Sequence, residues 1–497
     1  MADHATHVEI AAGLAPQAIL VLGATATTVV GTLRRGTRVS LFTVVSAIAF
    51  AGAGIAALLE LLLLNRSGLD VVRLYDGALM VDRLSIFITV VACATGALGV
   101  LSVVPALDRM RPHAGEAHAF MLTSVLGAVI AGAAAELAAL VVGIELVALS
   151  AVVLAAMAKT ESRSVASAAR MLVVNGVGSA LFLYGFTLLY GLSGRTDLSA
   201  VATSADRSAA GALAAVLVLA GLVTMLGAVP LWQWFDGAFR FALGPVAGLS
   251  TALAAITVTA ALVRVTALGL PGDQTGWSGA AAVLAALSMV YGGLMALRST
   301  DLRHLAGALG IAQAGVLLGA VAGQSHLLGR STSPAGVSAA LIQMVAMVAT
   351  LLLIGAVIGV LERHEAGTAL SDLSDRGAVT AVLATIAVAS LSGLPPTLGF
   401  IARINAVAAA AEGGYAWLAV IAGLGLGLTA LAGTRAISLM YATHAVGGHV
   451  VLEPLREVAR PARVAVVSLS ALLAIVLPIL LLPLSQLAAG AAGPLTR

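Results

Sequence analysis

Apolar residues run along this chain in long unbroken stretches, with neither the alternation of a half-buried strand nor the stripe of a surface helix. Fourteen such stretches recur from end to end, at about 17–33, 41–64, 84–107, 119–135, 137–158, 168–192, 212–229, 246–268, 279–297, 305–322, 337–361, 379–411, 418–441 and 464–487. Crossing ~30 Å of hydrocarbon at 1.5 Å per residue takes ~20 residues, so each stretch predicts a spanning helix. The fourth and fifth are parted only near Glu136. The fold class this implies is an all-α polytopic membrane protein whose loops are too short for a separate catalytic domain.

Two spans are visibly broken. The seventh ends in AVPLWQWFDG, with Pro230 beside Trp232 and Trp234, and the twelfth contains GLPPTLGF, with Gly393, Pro395, Pro396 and Gly399. Proline removes a backbone donor, and backbone freed at membrane depth has to be buried in protein or line a wet cavity. If spans 4–8 form one unit and 9–13 another, both breaks fall on the fourth helix of a five-helix unit. Units of odd helix number are inverted relative to each other, and paired discontinuous helices in such repeats mark ion-translocating folds. The chain then divides into helices 1–3 (residues 1–116), a first repeat (117–270), a second repeat (271–445) and a last helix (446–497).

Composition agrees with the pattern and narrows it. The 497 residues are 60% hydrophobic and 10% charged, with a mean hydropathy of +1.06, whereas soluble domains carry roughly 25% charged residues. A water-soluble enzyme is excluded. The one cysteine, Cys93, sits in an apolar run, so no disulfide framework or thiolate cluster can form within the chain. Redox chemistry is expected on other subunits. Lys159 is the sole lysine, the net charge is +3, and the arginines do not gather on one face, which speaks against nucleic acid as a partner. The opening residues, MADHATHVEI, have no basic residue, so a cleavable leader is not expected. With the N-terminus outside, 17 of the 26 basic residues fall on the cytoplasmic side and eight outside, with Arg403 within the membrane; the bias predicts both termini outside.

A charge at mid-membrane costs ~2.5–3.5 kcal/mol on insertion scales, so such residues are functional candidates by default. Glu145, in VVGIELVALS, lies near the middle of span 5 with no basic residue within a helical turn. Glu136 opens the same span and reads equally as an interfacial residue. Arg170 opens span 6 and reads as either a functional cation or a topology anchor that snorkels. Arg403 lies just past the PPTLGF break, where unwound backbone can offer carbonyls to its guanidinium. GLGLGL (423–428) has no preceding strand and reads as helix packing. Most histidines, His118 among them, are read as peripheral, and His304 beside Arg303 as interfacial at a helix mouth.

Five segments carry a family resemblance: GIELVALSAVVLAA around Glu145, SALFLYGFTLLYGLSGRTDLSAVA (179–202), DLRHLAGALGIAQAG (301–315), LSGLPPTLGFIAR (391–403) and RAISLMY (435–441). From about Asp82 to Tyr441 the chain resembles the antiporter-like membrane subunits of bacterial respiratory complex I, most closely subunit N of NADH-quinone oxidoreductase. The resemblance implies a proton-translocating subunit in the bacterial plasma membrane, among other membrane-arm subunits and lipid. It implies no cofactor on this chain, with NADH, FMN, iron-sulfur clusters and quinone on partner subunits. Glu145 matches the family's essential glutamate, Arg403 falls on its lysine in broken helix 12, and Arg170 lies where subunit N has a lysine. Other positions depart: Met225 stands where the family has the lysine that pairs with the glutamate, the helix 8 lysine has no counterpart, and Gln313 replaces a histidine. Arginine stays charged where lysine can release its proton, so Arg403 sets a field without relaying. Arg170 is expected to stand in as the partner of Glu145. Alternatives are a subunit of an Mrp-type cation/proton antiporter or membrane-bound hydrogenase, and a non-conducting structural paralogue.

Overall fold

The computed structural model describes residues 13–33, 39–107, 113–158, 162–204, 208–270, 276–324, 334–363, 367–376, 378–442 and 490. The apolar runs are helices. The first unit has α1 (Ala15–Leu33), α2 (Val39–Ser67) and α3 (Arg83–Leu107). The next has α4 (Ala114–Ala133), α5 (Leu137–Ala156), α6 (Ser162–Ser193), α7 (Ala209–Leu226), α8 (Gln233–Phe241) and α9 (Gly244–Arg264). Then follow α10 (Trp277–Leu297), α11 (Leu302–Ala322), α12 (Pro334–Arg363), α13 (Ala378–Ser392), α14 (Leu398–Glu412) and α15 (Ala416–Met440). Twelve of these are long and apolar enough to cross a membrane. The broken span supplies α13 and α14, each 15 residues long. The fourteenth expected span, 464–487, lies outside the described residues.

Outward-facing apolar side chains on α1, α6 and α15, such as Leu22, Val173 and Val420, are what a lipid-facing surface requires. In contrast α9, α11 and α12 are buried nearly all round and form the centre of the bundle. Small residues let the helices close up: a Cβ on Gly143 of α5 would lie 2.7 Å from the Gly127 carbonyl of α4.

One element departs from the all-α expectation. Between α2 and α3 the chain forms an antiparallel hairpin, β1 (Val71–Leu74) and β2 (Leu79–Asp82), in register from Val71 opposite Asp82 to Leu74 opposite Leu79. Its turn uses Tyr75, Asp76 and Gly77, all at positive φ. Asp-Gly between two short apolar runs is a hairpin signal, and its backbone pairs locally because it is too short to be a span.

One local feature recurs twice along the chain. Beside the start of α5, Glu136 bridges Asp197, with Leu137 N donating to Thr196 O and Leu198 N to Ala135 O, both at 3.0 Å. Beside the start of α11, Asp301 bridges Ala369, with Leu302 N donating to Thr368 O (2.8 Å) and Leu370 N to Thr300 O (3.0 Å). Desolvation raises the Asp197 carboxyl, but the Ala200 amide, the Ser199 hydroxyl and Arg195 together outweigh it and hold it below its ordinary value.

Two charged ties lie at opposite ends of α9. At its end, Arg264 makes a bidentate pair with Asp82, both contacts 2.7 Å, and donates to Gly132 O. Asp82 also accepts from Ser85 N at the start of α3, so one carboxylate caps α3 and anchors α9. At the start of α9, Glu362 of α12 accepts from Gly244 N (3.0 Å) and pairs with Arg303 of α11.

Candidate functional site

The first break begins where α7 ends on Gly227, in the left-handed region at φ 79°. A side chain there would run into the Phe235 ring. The chain passes Pro230 and re-forms as α8, and the freed backbone finds partners: Val229 N donates to Ser288 Oγ (3.0 Å), and Trp234 Nε1 to Thr224 O (2.8 Å). Irregular backbone at this depth is therefore satisfied within protein.

Met225, one residue before α7 ends, lines a cavity of about 20 Å³ shared with Ile144, Ala148, Asn175, Trp234 and Thr257. That is room for a water molecule. Asn175 is buried, and among the described residues its Oδ1 has no hydrogen-bond partner. The Thr257 hydroxyl donates to Leu253 O, which leaves its oxygen able to accept.

Glu145 stands beside this cavity without lining it. At 3.6 residues per turn it falls between the cavity-lining Ile144 and Ala148 and the exposed Val142 and Leu149. Among the described residues it has no ion-pair partner. The expected pairing with Arg170 is corrected here. Arg170 is exposed, with its guanidinium 5.1 Å from the centre of the Phe241 ring. It packs along Gly237, while Ser167, one turn earlier, donates to Gly237 O. That face of α6 addresses α8, and the aromatic face attracts the cation. Glu136 sits at the helix start in the bridge with Asp197, so the geometry favours its interfacial alternative.

The second break repeats the plan of the first. Ser392 ends α13, Gly393 is left-handed at φ 75°, Pro395 and Pro396 follow, and Thr397 caps α14 by accepting from Phe400 N. Gly399 lies so close to Ser390 O that no Cβ fits. Arg403, almost fully buried, turns back onto the open end of α13. It donates to Ser392 O (3.0 Å), Leu391 O (2.6 Å) and Thr429 Oγ1. The carbonyl end of a helix is its negative end, so backbone dipoles take the place of a carboxylate. Gln313 donates to the same Leu391 O (3.0 Å) and accepts from Gln343. The result is a continuous buried string, Gln343 to Gln313 to Leu391 O to Arg403, in which neither glutamine titrates.

Several residues were not singled out in the sequence. Asp236 of α8 contacts His304 (3.1 Å) and Arg240 (3.4 Å), and Glu362, Asp82, Asn175 and Gln343 take the roles above. Asp236 stands in the segment read only for its proline, Asn175 lies within an apolar span, and Glu362, Asp82 and Gln343 lie far in sequence from their partners. His118 is buried, hydrogen-bonded between Ala114 O and Thr43 Oγ1, and is not peripheral.

Many apolar helices, two of them interrupted beside buried polar groups, define a polytopic membrane protein with discontinuous helices. The chain belongs to the NADH:quinone oxidoreductase/Mrp antiporter membrane family, whose pattern it matches over residues 134–429. It is 31% identical over 396 residues to NADH-quinone oxidoreductase subunit N 1 of Sorangium cellulosum, covering 76% of this chain and 77% of that one. It is 29% identical over 346 residues to subunit N of Heliobacterium modesticaldum, covering 69% and 72%. Three solved structures share the fold. The archaeal membrane-bound sulfane sulfur reductase matches with TM-score 0.82 and 20% identity over 98% of both chains. The Mrp complex from Dietzia sp. DQ12-45-1b matches with 0.82 and 19% over 99% and 98%. Respiratory complex I from Thermus thermophilus with bound aureothin matches with 0.77 and 24% over 96% and 100%.

Proposed function

We propose that this chain is a proton-translocating membrane-arm subunit of a complex I-type NADH-quinone oxidoreductase. The observation that carries the reading is its similarity, over more than two thirds of its length, to proteins named as subunit N, together with Glu145 near the middle of apolar α5 and two broken helices. Quinone reduction on other subunits supplies the energy, and NADH, FMN, iron-sulfur clusters and quinone are held there. The chain sits in a bacterial plasma membrane with both termini outside, its two five-helix units inverted relative to each other. Glu145 is the proton-carrying group of the first unit, and a water in the Asn175 cavity takes up part of the gap left by Met225. Arg403 fixes a positive potential at the second break.

Met225 and the Gln313–Gln343 string favour a second reading, a non-conducting subunit that braces its neighbours. Glu145→Gln separates the two, because it keeps the side chain's shape while removing its proton site. In the whole complex reconstituted in vesicles, the substitution should leave assembly intact and lower the protons pumped per electron. Wild-type yield and turnover in that variant would make the bracing role the better account. Mass spectrometry of the detergent-extracted complex tests the assignment itself: subunits carrying flavin and iron-sulfur clusters should accompany the chain, and their absence would point to an antiporter.

A further inference from the structure

Neither Glu145 nor the helix breaks account for the charged cluster where α8 meets α11. Asp236 is in the first turn of α8, its side chain only 4% exposed, and His304 is the third residue of α11, 28% exposed. His304 Nδ1 lies 3.1 Å from Asp236 Oδ1, and Arg240 reaches Oδ2 at 3.4 Å. A Cβ on Gly307 would lie 2.6 Å from Oδ1, so glycine at that position is what lets α11 bring His304 to the carboxylate.

The neighbouring Arg303 is used differently. It donates to Phe239 O (2.7 Å) and Ala242 O (3.0 Å) and pairs with Glu362, holding the end of α8 with a permanent cation. Other groups facing the cluster are Tyr291 of α10, Arg170 of α6 over Phe241, and Asp301, whose carboxylate accepts from Arg303 N and His304 N. Within this cluster His304 is the one imidazole, and imidazole is the side chain that changes charge between about pH 5 and 8. It stands between water at the bundle's end and a buried carboxylate. That carboxylate is two residues along α8 from Trp234, which walls the Asn175 cavity.

We propose that His304 and Asp236 form the proton port of this subunit. Nε2 of His304 gains a proton from water at the end of the bundle that the arginine bias puts in the cytoplasm. The Nδ1–H bond then breaks as an O–H bond forms on Asp236, and the imidazole is neutral again. The port rests on the reading that protons cross this chain, and it adds where they are taken up and by which pair.

The test uses the whole complex in vesicles, with assembly followed on native gels and pumped protons per electron and turnover measured between about pH 6 and 8. His304→Arg keeps a cation against Asp236 but cannot release its proton. Coupled turnover should fall several-fold and lose its change with pH in this range. His304→Gln, which keeps a neutral polar contact, should show the same loss. Wild-type yield and pH profile in either assembled variant would mean that the contact is only a latch, and would overturn the port. Glu145→Gln, measured alongside, separates the two claims. If it pumps normally, the translocation reading itself fails; if it stops pumping while His304→Arg does not, only the port falls.

Discussion

Arg264 and Arg403 are both almost fully buried, yet their surroundings make opposite demands. Arg264 has a bidentate carboxylate, and removing one partner strands the other in the interior, which typically costs about 3–5 kcal/mol. Arg264→Met should therefore lower the thermal midpoint of the detergent-solubilised protein sharply. Arg264→Met combined with Asp82→Leu should recover much of the loss, since no charge is left unpaired. Among the described residues Arg403 has only carbonyls and a hydroxyl, and its Nε lacks a partner. No described acid forms an ion pair with it. The sequence marked Arg403 because it stands inside an apolar run, and located it correctly against opened backbone. Arg264 was counted only as an outer-side charge, because its partner lies 182 residues away and no local spacing betrays it. The Glu145–Arg170 pairing failed for a related reason: adjacent helices bring two residues near in level, but rotation about the helix axis decides what each one faces.

The breaks after α7 and α13 were legible because proline and glycine act locally, and both helices resume within a few residues on the far side. What the pattern could not supply was the use of the loose ends, since carbonyls left by α13 are invisible until Arg403 is seen to turn back onto them. Glycine content misleads at this scale too. In GLGLGL, read as packing, Gly425 approaches Met289 while Gly423 and Gly427 face open space. Gly423→Ala should accordingly leave stability unchanged. Gly399→Val should push α14 away from Ser390, disturb the cap on α13 and reduce the yield of folded protein. Thermal unfolding of the two purified variants checks the contrast, and equal behaviour would mean that α14 shifts more freely than its contacts imply.

Membrane orientation belongs to the molecule as a whole, since it rests on the summed arginine distribution and on no single loop. A reporter placed after Gly68 beside the hairpin should be active only as an extracytoplasmic type, and one after Arg298 only as a cytoplasmic type. The reverse pattern would invert the topology and place His304 on the outer side. The same vertical view gives α9 a particular character. It is 21 residues long, about 30 Å at 1.5 Å per residue, and packed on nearly every side. It is gripped at the start by Glu362 and at the end by Asp82. In mechanical terms it is a tie-rod: its one proline, Pro245, sits in the first turn, where it costs the helix no hydrogen bond, and the first irregular turn, Val265–Gly269, comes only after the second grip. A neighbour that tugs on α12 at Glu362 therefore also loads the hairpin on the other rim, and the bundle's two faces move as parts of one frame.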